Sequence, residues 1–501
     1  MSGERTAAAP RRVPFRLLAL LLTAGLIAGL LAGAPGGVGQ GAAQTAEQAA
    51  SAARGAAARQ ELIPLQPLID KAKPNDVILL KPGRYAGNVV ITKPITLAGD
   101  GPREKIIIDA QGKGSVIVLK TDGATLRNLT LVNSGDQHND LDAGVQIRGN
   151  FNIVKDLTIR ECLFGVDLQQ ANSNIVKRND ISSKSDFGLG LRGDAIRLWY
   201  SRNNRITHNH IHHARDLVIW YSADNIIAHN HVTHGRYGLH FMYSKYNLVE
   251  NNNFEFNSVG IYLMYSDSVV VRKNRVVQAI GAAGIGIGFK EASNLDIIEN
   301  EVLYNSMGMY MDVSPFQPGT TNRIYRNTIA FNDVGIRFLN DWSGNLFRDN
   351  RFMSNITQVT VSTFATAKRN TWEGNYWDDY QGYDHNGDGF GDTPYRLFVY
   401  ADRIWMDVKA AAFFKGTPVL TMLDFLERLA PFSDPLLMLQ DDKPRISPDF
   451  EPLTKDYQPG RGNVGRATTT FGQTTEETKA GTSLEEFDPF GLKDKNVGHA
   501  K

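Results

Sequence analysis

The chain has one cysteine, Cys162, so it can close no internal disulfide and build no Cys-x-x-Cys metal site. It has almost no net charge: 54 Lys and Arg against 53 Asp and Glu leave +1. That balance provides no global attraction to nucleic acid or to an anionic membrane. The apolar run from Leu17 to Leu31 falls short of the roughly 20 residues that span a bilayer. Helical apolar periodicity is missing through the middle of the chain.

The start of the chain reads as an export signal. Arg11, Arg12 and Arg16 precede the apolar run, and the small residues Gly41-Ala42-Ala43 follow it. Val13-Pro14 fit a twin-arginine signal poorly, and no lipobox cysteine follows. We therefore expect a cleaved signal peptide over 1–43, an Ala-rich linker over 44–60 and a mature protein that is soluble and periplasmic.

Glycine is plentiful, at 47 residues, and two landmarks recur down the chain. One is a short strand opened by a small residue: Gly144-Val-Gln-Ile, Gly165-Val-Asp-Leu, Gly238-Leu-His-Phe, Gly260-Ile-Tyr-Leu, Gly335-Ile-Arg-Phe. The other is Asn-x-(Ile/Val)-x-x-Asn or a close variant, as at Asn174–Asn179, Asn204–Asn209, Asn225–Asn230 and Asn322–Asn327. Equivalent positions recur every 21 to 24 residues, with longer gaps at Ser182–Gly193 and Val313–Thr321. A period of about 22 with short alternating strands means a solenoid. The strict leucine spacing of leucine-rich repeats is absent. The expected fold is all-β: a right-handed parallel β-helix of about ten or more coils over 61–396, with about ten clear repeats from Gly123 to Asn370. Alternation sends the aliphatic residues inward, and stacked Asn side chains form an inward ladder at the turns. Leu65 to Ala72 reads as a short amphipathic helix covering the open N-terminal end, ahead of first strands at Asp76-Val-Ile-Leu-Leu and Ile95-Thr-Leu-Ala.

Eight of the eleven histidines lie between His208 and His240. His208, His210 and His213 recur as His229, His231 and His234, one 21-residue coil later. Strand alternation puts His208 and His210 on one face, stacked on His229 and His231 about 4.8 Å away. Neutral imidazoles at that spacing can share a metal. A second column holds Met242 and Met264 where earlier coils carry Trp199 and Trp220, and His240 shares a face with Met242. Thioether plus imidazole suits Cu(I). Each of these residues taken singly is equally an ordinary surface or packing residue.

After the last repeat, Asp384, Asn386 and Asp388 alternate ahead of Gly389, with Asp392 a further possible ligand. This resembles the front of a calcium loop, although Tyr395 stands where a bidentate Glu belongs. Asp, Asn and Gly also favour turns without any metal. A structural calcium would stiffen the end of the solenoid.

These repeats, Gly238-Leu-His-Phe-Met-Tyr-Ser, and the closing Gly374-Asn-Tyr-Trp-Asp-Asp-Tyr with its Asp384–Asp392 loop resemble the NosD family over roughly Leu65 to Pro435. Members are periplasmic β-helical maturation proteins of nitrous oxide reductase. The resemblance implies a partner protein rather than an enzyme. It implies work with the membrane and ATP-binding subunits of an ABC transporter, with nitrous oxide reductase and with a copper chaperone, to assemble a copper–sulfide centre. Copper would be bound transiently, and association with the membrane would run through the transporter. No family copper motif maps onto this sequence residue by residue, so the His and Met assignment rests on register alone.

The segment 397–440 fits docking on that transporter. Thr417 suits an N-cap, Pro418 the first helical turn and Pro431 the helix end. Val419, Met422, Leu423, Phe425 and Leu426 form an apolar face, joined by Trp405, Phe413 and Phe414. The same face could instead fold back on the solenoid. The tail over 441–501 is poor in groups to bury and is expected to be disordered.

Two other readings use the same fold. A polysaccharide lyase, hydrolase or epimerase would need acids facing a groove. Asp167, Asp194 and Asp216, with Arg197, Trp199 and Trp220, are the residues available for one. A passive adhesive solenoid needs neither copper nor a membrane partner.

Overall fold

The computed structural model describes residues 62–399 apart from 282, 363 and 364, together with 414, 417–430 and 435–449. The expected signal peptide and linker, Trp405, Phe413, Pro431 and the chain beyond 449 lie outside the described residues.

Each coil contributes three short strands, beginning with Val77–Leu80, Gly83–Ala86 and Val89–Ile91. Every strand pairs in parallel with its counterpart one coil on, giving sheets of 13, 13 and 12 strands that wind as a right-handed β-helix. The coils number about 13, in keeping with the ten or more expected. The first coils escaped the repeat because their periods are irregular: the first sheet steps from Val77 to Thr96, Thr125 and Ile153.

Alternation builds the core. In the third sheet Ile147, Leu168, Leu198, Ile219, Phe241, Leu263, Phe289, Met311, Phe338 and Val361 stack in register. All ten are buried. Each such side chain contributes about 1.5–3 kcal/mol by leaving water. One coil alone could not hide this column, so the coils stabilise one another. The glycine landmark has a steric cause: a Cβ on Gly260 would lie 2.2 Å from Val276 Cγ1 and 2.6 Å from the Gly286 carbonyl oxygen.

The asparagine landmark has a polar cause. Asn179, Asn209, Asn230, Asn252 and Asn274 each donate a side-chain N–H to Oδ1 of the next, at 2.9–3.0 Å. The same oxygens accept backbone N–H groups, as Asn230 Oδ1 does from Asn209 at 3.0 Å. A parallel ladder joins Asn152, Asn174, Asn204, Asn225 and Asn247. These amides satisfy the corner backbone that the strands leave unpaired, where an orphan would cost about 1–3 kcal/mol. They also hold the preceding residues His208 and His229 in the left-handed region, at φ 56 and 55.

Both ends are closed. Helix α1 (Gln66–Lys71) covers the first coil. Gln66 donates Nε2 to the Val90 carbonyl at 3.1 Å, and its Oε1 accepts the Val90 N–H at 2.8 Å. At the other end Tyr395–Val399 pairs antiparallel with Leu436–Asp441. Asp441 is buried and takes the place of the next ladder residue, accepting Asn375 Nδ2 at 2.8 Å. Arg445 binds Asp349 at 2.8 Å, so residues 441–449 close the solenoid rather than beginning the tail. The sequence expectation missed this because Leu436–Leu439 is too short a run to signal a closing strand. Helix α2 (Pro418–Leu429) follows Thr417, whose side chain makes no cap hydrogen bond and whose carbonyl accepts the Thr421 N–H at 2.9 Å.

Candidate metal centre

The outer face of the third sheet carries the methionine column. Trp199, Trp220, Met242 and Met264 are consecutive register partners, followed by Lys290. A bulge between Asp216 and Val218 sets His240 opposite Val218, one strand before Tyr262. The ring then crosses diagonally, and His240 Nε2 lies 3.0 Å from Met264 Sδ. Tyr237 stacks on His240 at 4.7 Å, and Tyr262 meets Tyr237 edge-on at 5.8 Å. Burial is the main cause that lowers the His240 pKa, while Asp216 pulls the other way. The shift favours the neutral imidazole, the form that binds a metal. An aromatic wall adjoins this pair: Tyr200, Tyr221, Tyr243 and Tyr265 stack at 4.9, 5.0 and 4.7 Å.

The histidine array stacks as its period requires. His208 lies 4.8 Å from His229, His210 5.3 Å from His231, and His213 4.8 Å from His234. Burial, then the neighbouring imidazole, lowers the pKa of His208 and of His213. His208 occupies a left-handed corner rather than a strand position. Among the described residues, the three ligand groups that come together are Asp180, His210 and His212. His210 Nδ1 lies 2.8 Å and His212 Nε2 3.5 Å from Asp180 Oδ1. Asp180 and His212 were not among the candidates read from sequence. In the next coil His231 is held instead by Glu255, 3.3 Å away.

In the terminal loop, Asp384 accepts the backbone N–H groups of Gly387 and Gly389 at 2.7 and 2.8 Å. Asn386 accepts from Asp388, Asp388 from Phe390, and Asp392 from His385, all through backbone N–H. These are Asx turns, and the loop closes through its own amides. The calcium expectation rests on the sequence pattern alone.

The acids considered for an enzymatic groove are all buried rather than open to one, and each lies beside an arginine. Asp167 lies 2.7 Å from Arg148, Asp194 2.9 Å from Arg215, and Asp216 accepts Arg236 Nε at 3.1 Å. On α2, Val419, Met422, Phe425 and Leu426 are exposed, as is Phe414 before it. The Leu423 side chain lies outside the description. No helix among the described residues is long and apolar enough to cross a membrane.

Comparison with known proteins follows the same lines. The profile of the family described as "Periplasmic copper-binding protein (NosD)" matches residues 178–382, which contain every candidate ligand from Asp180 to Met264. The profile described as "Right handed beta helix region" matches residues 104–219. A Pseudomonas aeruginosa protein named "Probable ABC transporter binding protein NosD" is 31% identical over 400 residues, covering 73% of this chain and 89% of the relative. A protein of the same name from Stutzerimonas stutzeri is 30% identical, covering 73% and 87%. Among solved structures, the mannuronan C-5 epimerase AlgE6 A-module of Azotobacter vinelandii aligns with a TM-score of 0.44 at 15% identity, over 63% of this chain and 94% of that one.

Proposed function

The chain belongs to the NosD family, and from that premise we propose that it serves, in the periplasm, the assembly of the copper–sulfide centre of nitrous oxide reductase. It would do so beside the membrane and ATP-binding subunits of an ABC transporter and a copper chaperone. The relatives are named as transporter-binding proteins, which supports an accessory role rather than catalysis.

The observation that carries a copper-handling role is the contact of His240 Nε2 with Met264 Sδ at 3.0 Å. One thioether and one neutral imidazole, with the Met242 thioether in register beside them, are the soft donors that suit Cu(I). Burial lowers the His240 pKa and so favours the neutral imidazole. The stacked His208–His229 pair lies on another face of the coils and would be a secondary station for the same cargo. Calcium in the Asp384–Asp392 loop adds nothing to this role.

The exposed apolar residues of α2 are the docking surface for the transporter in this reading. The test is to recover nitrous oxide reductase from cells whose only copy of this protein carries His240→Ala and Met264→Leu. Enzyme deficient in copper is the expected result. Fully loaded enzyme from cells lacking the protein altogether would overturn the proposal.

A further inference from the structure

A different set of donor side chains stands on the second sheet. Asp180, His210 and His231 are successive register partners there, and His212 lies two residues beyond His210 on the same strand. Residues two apart on a strand face the same way, so both imidazoles reach the outer side where the Asp180 carboxylate stands. His210 Nδ1 and His212 Nε2 approach the same oxygen, Asp180 Oδ1, at 2.8 and 3.5 Å. The two rings lie 4.9 Å apart, tilted by 32°.

The ligand atoms of all three groups lie within 4.8 Å of one another. Two atoms bound tetrahedrally to one zinc-sized ion stand about 3.3 Å apart, given bonds of about 2 Å. Small side-chain rotations therefore bring the three donors onto one ion. His213 Nδ1 lies 3.1 Å from His212 Nδ1, which fixes that ring and leaves Nε2 turned toward the carboxylate. Such a partner on the far nitrogen is how ligand histidines are oriented. The next coil cannot repeat the arrangement, because His231 is taken by Glu255 and Thr233 stands in register with His212.

Two nitrogens and one carboxylate oxygen are borderline-to-hard donors, without the sulfur that favours Cu(I). The group is also partly open, with Asp180, His210 and His212 side chains 37%, 51% and 29% exposed, which leaves room for a water as fourth ligand. We propose that Asp180, His210 and His212 form a three-ligand site for a borderline divalent cation of the zinc class, separate from the thioether-containing pair at His240 and Met264. This proposal stands on its own residues and does not require the copper-centre reading.

The test uses the full mature chain, stripped with chelator and titrated with Zn2+ against a chromophoric competitor, and separately with Co2+ as a spectroscopic substitute. About one equivalent of competitor-resistant Zn2+ and tetrahedral Co2+ bands are expected. Asp180→Asn and His212→Ala should each lose the bands and weaken Zn2+ at least about tenfold. His234→Ala and Met264→Leu should keep both signals. Circular dichroism confirms that each variant is folded, as expected for changes at partly exposed positions. Unaltered Zn2+ binding in Asp180→Asn and His212→Ala would overturn the proposal. So would absence of binding by the unmodified chain, or equal losses in all four variants.

Discussion

Asn375 directs both its backbone N–H and its side-chain amide at one oxygen, Oδ2 of Asp441, at 3.0 and 2.8 Å. Trp377 Nε1 reaches the same oxygen at 3.3 Å, and Oδ1 accepts the Gly374 N–H at 3.1 Å. A carboxylate thus ends a column that asparagines extend, because the last rung needs an acceptor and has no further amide to supply it. Asp441→Ala should cost about 3 kcal/mol, since buried donors would be stranded. Urea unfolding measures the loss, and hydrogen exchange should show the last coil opening first.

Gly260→Ala tests the close stacking of coils. Its methyl would meet Val276 Cγ1 and the Gly286 carbonyl at distances no real contact has. Overpacking of this kind costs about 1–3 kcal/mol. A lowered urea midpoint with an unchanged slope is the expected outcome.

Asp194 makes stability depend on pH. Burial, reinforced by the Asp216 charge and only partly offset by Arg215, pushes its carboxyl up to about 6. An unfolded aspartate titrates near about 3.9. The native state therefore holds the proton over the interval between, and favours folding below it. That contribution is lost as pH rises through about 6. Asp194→Asn cannot ionise, so its melting temperature should fall less than that of the unmodified chain between about pH 4 and 6.

Copper affinity isolates the His240–Met264 pair from the rest of the array. His240→Ala and Met264→Leu should each weaken Cu(I) binding by about tenfold, or about 1.4 kcal/mol. His213→Ala should not. Competition against a Cu(I) chelator under anaerobic conditions checks this.

Val399 pairs with Leu436, so residues 400–435 leave and re-enter the closing hairpin at adjacent points. Replacing 400–435 with a short turn should leave the thermal unfolding of the solenoid unchanged. Retention by the transporter in affinity purification should be lost. Continued retention would remove α2 as the docking surface.

The coil period made the histidine stacks legible, because His208, His210 and His213 each recur at the same 21-residue step. It hid the Asp180–His210 contact, which spans 30 residues because the 182–193 loop intrudes between their strands. His212 was invisible for a different reason: its register partner is Thr233, so nothing in the next coil repeats it. The His240–Met264 contact is diagonal, spanning 24 residues, and depends on how far a side chain leans rather than on register. The closing strand Leu436–Asp441 is set by a pairing with residues some 40 positions earlier, and local pattern carries no trace of that partner.

Four strand steps separate the Val259–Met264 strand from Thr357–Val361, the last strand of the third sheet. At about 4.8 Å per step that is roughly 19 Å. Loops can lengthen between sheets, as 182–193 does, without changing this distance, whereas adding or deleting a whole coil changes it by one step. The solenoid therefore works as a graduated ruler, in which axial position is counted in coils and not in residues. Evolution can reposition the histidine- and methionine-bearing coils relative to the closed end only in whole divisions of that scale.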